Sequence, residues 1–555
     1  MPFLVDSKIS SFFYTYRYYF FLGIIAIVSC INLTIDVMEI DAAQYADISM
    51  EMSKSGQYLQ VLMRGQDYLD KPPLLFWLSS LSISFLGNTN IGYKIFPVLF
   101  LLSSLLATYF FAKEWYDKRT GIIAVLMLGT TQAFFLMTND IRTDGLLSSF
   151  IIWSIFLLSQ FLRQKKIKYL LSAGLCIGGA MLAKGPLGLF FPAAAIAGHL
   201  VLTSQWKKIF NPAWILVLIP VALVLAPMCY GLYMQYDLHP EKEAYGIKGP
   251  SGLLFYFWTQ SFGRISGAST WHNNAPWYYF FQTIIWDIQP WLLLFLPALY
   301  FKFSSCWKIK KEIRMNAEWI SLSGFIIPFI ALSTSRYKLP HYIYPLFPFA
   351  AIMTADFLNR FAQKLPAWLE YIQLFVIHVL IGVAALIIFY IFPAHAPWLA
   401  ILLCIFYALF WWWRMKATDA ADRWLLPSLT GVLIFQLMMS LQFYPNLLKY
   451  ESPAQVGKYV AMEKPTHMYW HDIFGYSLDY YSGYAVPTIY IEQLDTVKAG
   501  SWIFIPSEVL GRLPPYKLIK TFDDFHVSSL NMSFINPKTR ELKLKKTCLV
   551  EILPR

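Results

Sequence analysis

Apolar residues fall in long runs along most of the chain, separated by short polar breaks. The runs lie near residues 18–36, 93–112, 120–138, 145–161, 169–183, 187–203, 213–232, 278–300, 317–334, 341–358, 370–392, 397–412 and 424–442. Most approach the length at which a helix crosses the hydrocarbon core of a bilayer, so they predict about thirteen transmembrane helices. One run is different. In DYLDKPPLLFWLSSLSISFLG, residues 67–87, charges and a double proline lead into an apolar stretch at 74–87. That stretch is too short to cross and too apolar to sit in water. After about residue 443 the pattern changes again. Alternating stretches such as TIYIEQL and SWIFIP, punctuated by Pro and Gly, predict strands of a small soluble α/β domain at 443–555.

Composition agrees with the pattern. Hydrophobic residues make up 57% of the 555 positions and charged residues only 14%, which excludes an ordinary soluble protein of this size. The predicted fold class is a polytopic α-helical membrane protein with a small C-terminal extracytoplasmic α/β domain. The net charge of +12 does not indicate nucleic-acid binding. Most Lys and Arg sit in short loops between apolar runs, and no basic stripe or aromatic-basic module occurs. The six cysteines are scattered, with no CxxC and no metal-type spacing, so neither a disulfide framework nor a zinc finger is indicated. The first apolar run, after Lys8 and Arg17, is too long for a signal-peptide core and reads as an uncleaved signal-anchor.

Charge then decides topology. The basic loops 113–119, 163–168, 206–208, 302–315, 359–364 and 414–423 all belong on the cytoplasmic side. They do so together only if residues 1–17 are inside and 74–87 does not cross. The 74–87 stretch is therefore expected at the outer membrane interface. The first large loop, 37–92, then faces outside, as do the 139–144 turn, the KGP break at 184–186, the loop 233–277, the turn 335–342 and the tail.

These outward segments carry unusual side chains at their membrane edges. Asp41 precedes a helical pattern with Gln44 three residues on, which by itself reads as an N-cap with a capping-box partner. Pro72 and Pro73 remove two backbone donors and hold Lys71 at the head of the apolar stretch. Alone, Lys71 reads as an interfacial snorkelling lysine. Asp144 reads as another cap. Lys184 lies between two apolar runs, where an ammonium is costly unless paired or facing water, and the Gly-Pro after it marks a break. The loop before PWYY carries Arg264 and His272, with Trp277, Tyr278 and Tyr279 suited to interface anchoring. Taken together, two carboxylates, two lysines, an Arg and a His gather at one membrane face. Cations there suit a phosphate, and carboxylates suit acid-base work or the binding of a metal or sugar.

The ordered set of motifs resembles the ArnT-like and protein O-mannosyltransferase-related membrane glycosyltransferases of the GT-C class, the family 39 glycosyltransferases. The matching stretches are DAAQYADISMEM, GQDYLDKPPLLFWL, IRTDGLLSSF, LAKGPLGLFFP, HNNAPWYY, the following Pro290-Trp291, and SRYKLPHYIYP. They run in family order over about residues 37–350. The resemblance implies a catalytic GT-C domain over 1–442 and transfer of a hexosyl or pentosyl group, with inversion, from a polyprenyl-phosphate carrier. The acceptor would be extracytoplasmic, a lipid A-like or other glycolipid, or alternatively a protein. It implies a bacterial inner membrane, with the active site facing the periplasm, and no nucleotide cofactor. By the same resemblance Asp41 and Asp144 are the catalytic carboxylates, and Lys71, Lys184 and Arg264 bind the donor phosphate. Tyr45, Tyr342 and Lys338 line the sugar or acceptor pocket, and Asp70 and His272 are candidate ligands for a divalent cation. The chain departs from the pattern at Ala42 and Gln44, where many members have Glu and Arg, and at Asp70, where Glu is common. If that Arg contacts a phosphate, the contact is missing here. A transporter or flippase for a lipid-linked sugar is the rival class; it should show repeat-related halves and charges near mid-membrane.

Overall fold

The computed structural model describes the backbone of residues 7–244, 246–263, 273, 275–394, 396–473 and 475–554, with side chains described from Tyr16 onward except at 261 and 262. Helices occupy every apolar run named above. Among the described residues, seven helices are long and apolar enough to cross a membrane, or eight if one bent pair is a single span. The chain is thus a multi-pass helical membrane protein.

Helix α1 (Ser7–Asn32) leads to α2 (Asp41–Ser55), the first helix of the large loop. α3 (Leu74–Leu86) has 13 residues and follows the double proline. At about 1.5 Å per residue it is close to 20 Å long, short of the hydrocarbon thickness. Pro73 is already in the helical region, so the extended backbone stops at Pro72. α3 buries Leu75, Phe76 and Ile83, while Leu81, Phe85 and Leu86 remain exposed.

Two predicted spans are broken. The run 120–138 becomes α5 (Lys118–Gly129) and α6 (Gln132–Asn139), bent by 58° at Thr130 and Thr131. The hydroxyl of Thr131 caps α6 by accepting from Phe134 N at 3.1 Å, which starts a new helix. The run 278–300 is likewise two helices, Tyr279–Asp287 and Leu292–Lys308, separated by Ile288-Gln289-Pro290-Trp291. Pro290 has no N–H to continue a helical ladder. α4 (Asn90–Trp115), which precedes the first broken span, and α7 (Thr143–Gln164), α8 (Ile167–Lys184), α9 (Leu187–Leu202) and α10 (Leu218–Leu232), which lie between the two in the chain, form the heart of the bundle. α8 ends where Gly185 takes a φ of 72°, a backbone position that favours glycine.

The last long helix runs from Ala420 to Tyr450. Beyond it lies a four-stranded sheet in the order Met468–Trp470, Trp502–Pro506, Lys545–Ile552, Tyr516–Asp524. The first pair is parallel and the others antiparallel. SWIFIP is a strand, and its alternation is real: Phe504 packs on one face of the sheet, Ile503 and Ile505 on the other. TIYIEQL is not a strand. It makes one isolated bridge at Thr488 and then turns into a 3-10 helix, Ile491–Thr496.

This terminal unit leans on the first loop. The helix Tyr476–Ser482 packs on α2, with Tyr476 Oη accepting from Gln44 Nε2 at 3.0 Å. Tyr480 and Tyr481 donate to Thr89 O and Asn90 Oδ1, and Arg64 pairs with Asp479.

Candidate active site

Helix ends from separate parts of the chain converge at one end of the bundle. Asp41 is the first residue of α2. It is not the cap: the cap position is Ile40, and no side chain caps that end. Gln44 turns instead to Tyr476 and Met63, so the expected capping box does not form. The reason lies across the cluster, where Arg142 draws the Asp41 carboxylate into an ion pair. A carboxylate in the first turn is still favoured by the helix dipole.

Arg142 organises the centre. It caps the start of α7 by position, and its Nε donates to Asp140 Oδ2 at 2.7 Å while Nη1 reaches Asp41. Burial alone would push Arg142 down, but Asp140 and Asp41 beside it hold it above its ordinary value. Its Nη1 also lies 3.5 Å from His341 Nδ1. The other ring nitrogen of His341 is 3.8 Å from Asp144 Oδ2. Asp144, in the first turn of α7, pairs with Lys184 at the last residue of α8. Both are buried, with side-chain exposures of 2% and 10%. The Lys184 ammonium also lies 3.9 Å from the Tyr342 ring centroid, a cation-π contact.

Asp70 and Lys71 pair with each other just before α3. Gln260 Nε2 donates to the Asp70 carbonyl, which ties this turn to the segment Phe255–Gly263. Tyr45 is 3% exposed, its ring lies 5.8 Å from that of Phe76 at a tilt of 58°, and it is within electrostatic reach of Asp41, Asp70, Arg142 and Asp144. Lys338 lies in the turn that also carries Tyr337 and Tyr342, whose rings are 6.2 Å apart. Its ammonium donates to Ala275 O at 3.1 Å. Asp41, Asp70, Lys71, Asp144, Lys184, Tyr45 and Tyr342 thus share one neighbourhood, with Lys338 at its edge. Arg264 and His272 lie outside the described residues.

Three members of the cluster were not singled out in the sequence. Arg142 and Asp140 lie in and beside IRTDGLLSSF, and His341 lies in KLPHYIYP. An Arg two residues before an Asp on a tight turn was the available signal for Arg142. His341 had none, because its partners are 197 and 199 residues away in sequence.

As for a metal, no group of three or more His, Cys, Asp or Glu side chains able to hold one occurs among the described residues. Asp70 pairs with Lys71, and His272, the other candidate ligand, lies outside the described residues.

The chemistry open to this arrangement follows from the pairing. Lys71, Lys184 and Arg142 each hold a carboxylate counterion. An arriving phosphate would have to join or displace those carboxylates to claim the cations. Asp41 is the most accessible carboxylate of its group, with 38% of its side chain exposed. It is the one best placed to meet an incoming hydroxyl.

Comparison with known proteins follows the same direction. The family model for dolichyl-phosphate-mannose-protein mannosyltransferases matches residues 70–230. An undecaprenyl phosphate-alpha-4-amino-4-deoxy-L-arabinose arabinosyl transferase of Proteus mirabilis is 27% identical over 62% of this chain and 60% of its own length. The corresponding transferase of Aeromonas salmonicida is 26% identical over 71% of each chain. The crystal structure of ArnT from Cupriavidus metallidurans bound to undecaprenyl phosphate superposes with a TM-score of 0.70, covering 96% of this chain and 97% of that one at 14% identity.

The chain is a membrane glycosyltransferase that is similar to the ArnT-like transferases in sequence and has the ArnT fold.

In this transferase the cluster gathers at the ends of α2, α6, α7 and α8. Two lysines and an arginine are held by carboxylates at the rim of an apolar bundle. A small cleft of about 20 Å³ lies beside Lys71, walled by Tyr68, Met228, Leu232 and Tyr256 with Gln235 and Gln260.

Proposed function

We propose that the protein transfers a sugar from a polyprenyl-phosphate carrier to an extracytoplasmic glycolipid, lipid A-like or otherwise, with inversion at the anomeric carbon. The observation that carries this is the position of Lys71. Its charge stands at the head of the apolar helix α3, beside Tyr68, Met228, Leu232 and Tyr256, so a phosphate held there would have apolar side chains next to it for a prenyl chain. The named relatives, which act on undecaprenyl phosphate-linked aminoarabinose, support the donor class.

In the proposed reaction the acceptor oxygen attacks C1 of the sugar from the face opposite the carrier. The C1–O bond to the lipid phosphate breaks, and the phosphate leaves with that electron pair. Lys71 and Lys184 stabilise the charge that develops on it, an electrostatic role suited to a site shielded from water. Asp41 takes the proton from a hydroxyl acceptor, or orients a phosphate acceptor that needs no deprotonation. Arg142 holds Asp41 in place. Tyr342, fixed over Lys184, and Tyr45 shape the sugar pocket. The site faces the periplasm of a bacterial inner membrane, with about thirteen spans and α3 lying in the outer interface.

A protein acceptor is the second reading within the class. The flippase reading loses support because the charged cluster lies at one end of the bundle, whereas a carrier needs its site near the middle.

The test is transfer in detergent with labelled polyprenyl-phosphate sugars and a membrane extract. Asp41→Asn is expected to lower turnover by about 10²–10⁴-fold, the usual worth of a general base, with little change in donor affinity. No labelled product from any donor with wild-type protein would sink the transferase reading. Equal product from both would remove the role of Asp41 alone.

A further inference from the structure

A groove of about 350 Å³ runs along the flank of the bundle, between α7, α8 and α9 and the segment Pro212–Val217 that leads into α10. None of its lining side chains belongs to the charged cluster. On α9 the lining positions are Leu189, Pro192, Ala193, Ile196, Ala197 and Leu200, a spacing that marks one face of a helix. Ala193 and Ala197, one turn apart, are too small to fill the space in front of them. No lining residue is charged, and the indole N–H of Trp214 is spent on Lys208 O at 2.8 Å. From Leu189 to Leu200 the helix rises by about 17 Å, at about 1.5 Å per residue, close to half of the roughly 30 Å hydrocarbon core. The groove is therefore apolar throughout and about one leaflet deep.

One end of it is basic. There α7 stops, α8 starts, and the segment Trp206–Phe210 follows α9. Trp206 and Phe210 are exposed by 54% and 76%, as suits a short segment lying at a membrane interface. Lys165, Lys166 and Lys168 meet Lys207 and Lys208 at this end. Aromatic rings join the charges to the groove. The Lys165 ammonium lies 5.7 Å from the Phe161 ring centroid, Phe161 meets Trp214 edge-on at 5.4 Å, and Trp214 lines the groove. Ile209, which follows Lys208 in the chain, lines it too. Burial, and the charge of Lys208 nearby, hold Lys165 below its ordinary value. Lys208 donates to the neutral amide of Gln205. Among the described residues none of these lysines has a carboxylate partner, and Glu114 is taken by Arg163 at 3.4 Å.

An uncharged lipid would fill the groove and leave the lysines unanswered. A free phosphate would answer the lysines and leave the groove unfilled. A molecule with both an anion and a chain satisfies both, and basic pockets between helices at a membrane face bind anionic headgroups. We propose that the groove holds an acyl chain of a phospholipid with a net negative headgroup, taken from the leaflet that the basic loops face, with Lys165 and Lys208 on its phosphate. By the distribution of Lys and Arg that leaflet is the cytoplasmic one. The seated chain packs on α8 and α9, the helices on either side of the break after Lys184, and steadies their packing. The site is separate from the transfer chemistry, and neither depends on the other.

The experiment uses the full-length protein, purified in detergent and stripped of lipid. Native mass spectrometry measures the binding of dioleoyl phosphatidylglycerol, dioleoyl phosphatidylcholine and inorganic phosphate. Phosphatidylglycerol is expected to bind about tenfold more tightly than phosphatidylcholine, the worth of one or two lysines facing an anionic headgroup, and to raise the unfolding midpoint. Lys165→Gln combined with Lys208→Gln should bring the two lipids to equal affinity. Ala193→Phe, at an exposed position, places a ring in the groove and should weaken both lipids by about tenfold. Both variants should elute as wild type on size exclusion and unfold at the wild-type temperature when free of lipid. Equal binding of the two lipids by wild-type protein would mean a general lipid coat only and overturn the proposal. A preference that survives in the double lysine variant overturns it too. If Ala193→Phe binds phosphatidylglycerol as wild type does, the headgroup is attracted without a seated chain, and the groove loses its role. Inorganic phosphate bound as tightly as the lipid would make this a phosphate site instead.

Discussion

Asp144 and Lys184 illustrate how little a single position reveals. In isolation Asp144 reads as a cap and Lys184 as an ammonium that is costly unless paired or facing water. Together they form a buried pair at the junction of α7 and α8, with His341 and Tyr342 against it. Losing one partner of such a pair strands the other's charge. Lys184→Met alone is expected to destabilise the protein by roughly 3–5 kcal/mol, and the double variant Lys184→Met, Asp144→Leu by distinctly less. Thermal unfolding of the purified variants checks this, and a double variant no better than the single would contradict it. Neither variant should retain transfer, because stability and catalysis draw on the same lysine. A buried lysine of another kind lies nearby. Lys94, 1% exposed, donates to the carbonyls of Asn32, Ile35 and Asn139, and so ties the ends of α1 and α6 to the turn that presents Asp140 and Arg142.

At the scale of elements, the docking of the helix Tyr476–Ser482 against the first loop concentrates carboxylates. Glu39 accepts from Ser477 N at 2.7 Å, and its backbone N–H faces the Glu451 carboxylate. Burial pushes Glu39 up to about 7 and Asp479 up to about 6, the latter despite Arg64 beside it. Burial also raises Asp47 and Glu451. A carboxylate whose pKa is higher when folded binds protons that the unfolded chain releases. Stability then falls as pH rises through the interval between the two values, for Glu39 from about 4.5 to about 7. Wild-type protein should therefore unfold at a higher temperature near pH 5.5 than near pH 7.5, and Glu39→Gln should flatten that dependence. A midpoint that climbs with pH across this range would refute the account. This interface was not legible in the sequence. Tyr476 and Gln44 are 432 positions apart, and neither carries a pattern that names the other. The broken helices were hidden for a related reason: a 58° bend at two threonines leaves the apolar run intact.

For the whole molecule, side of membrane is the property that links charge pattern to chemistry. In a background with the six native cysteines replaced by serine, Ser55→Cys and Lys498→Cys should react with a membrane-impermeant maleimide on intact cells. Lys311→Cys and Lys416→Cys should react only after permeabilisation. Labelling of both Ser55→Cys and Lys311→Cys from outside would mean that α3 crosses after all. Much of this scale was written in the chain, since hydropathy and the distribution of Lys and Arg act locally along the sequence. They suffice to show a multi-pass helical protein, a short α3 and a set of charged turns at helix ends. The same locality explains why Asp41, Lys71, Asp144 and Lys184 could be named in advance. What only the tertiary structure decided is which charge answers which. Arg142 and not a cap holds Asp41, His341 bridges to Asp144, the terminal sheet unit braces α2, and Lys165 and Lys208 come together at the end of an apolar groove. Pairing depends on distances between residues far apart in the chain, and those distances exist only once the helices have packed.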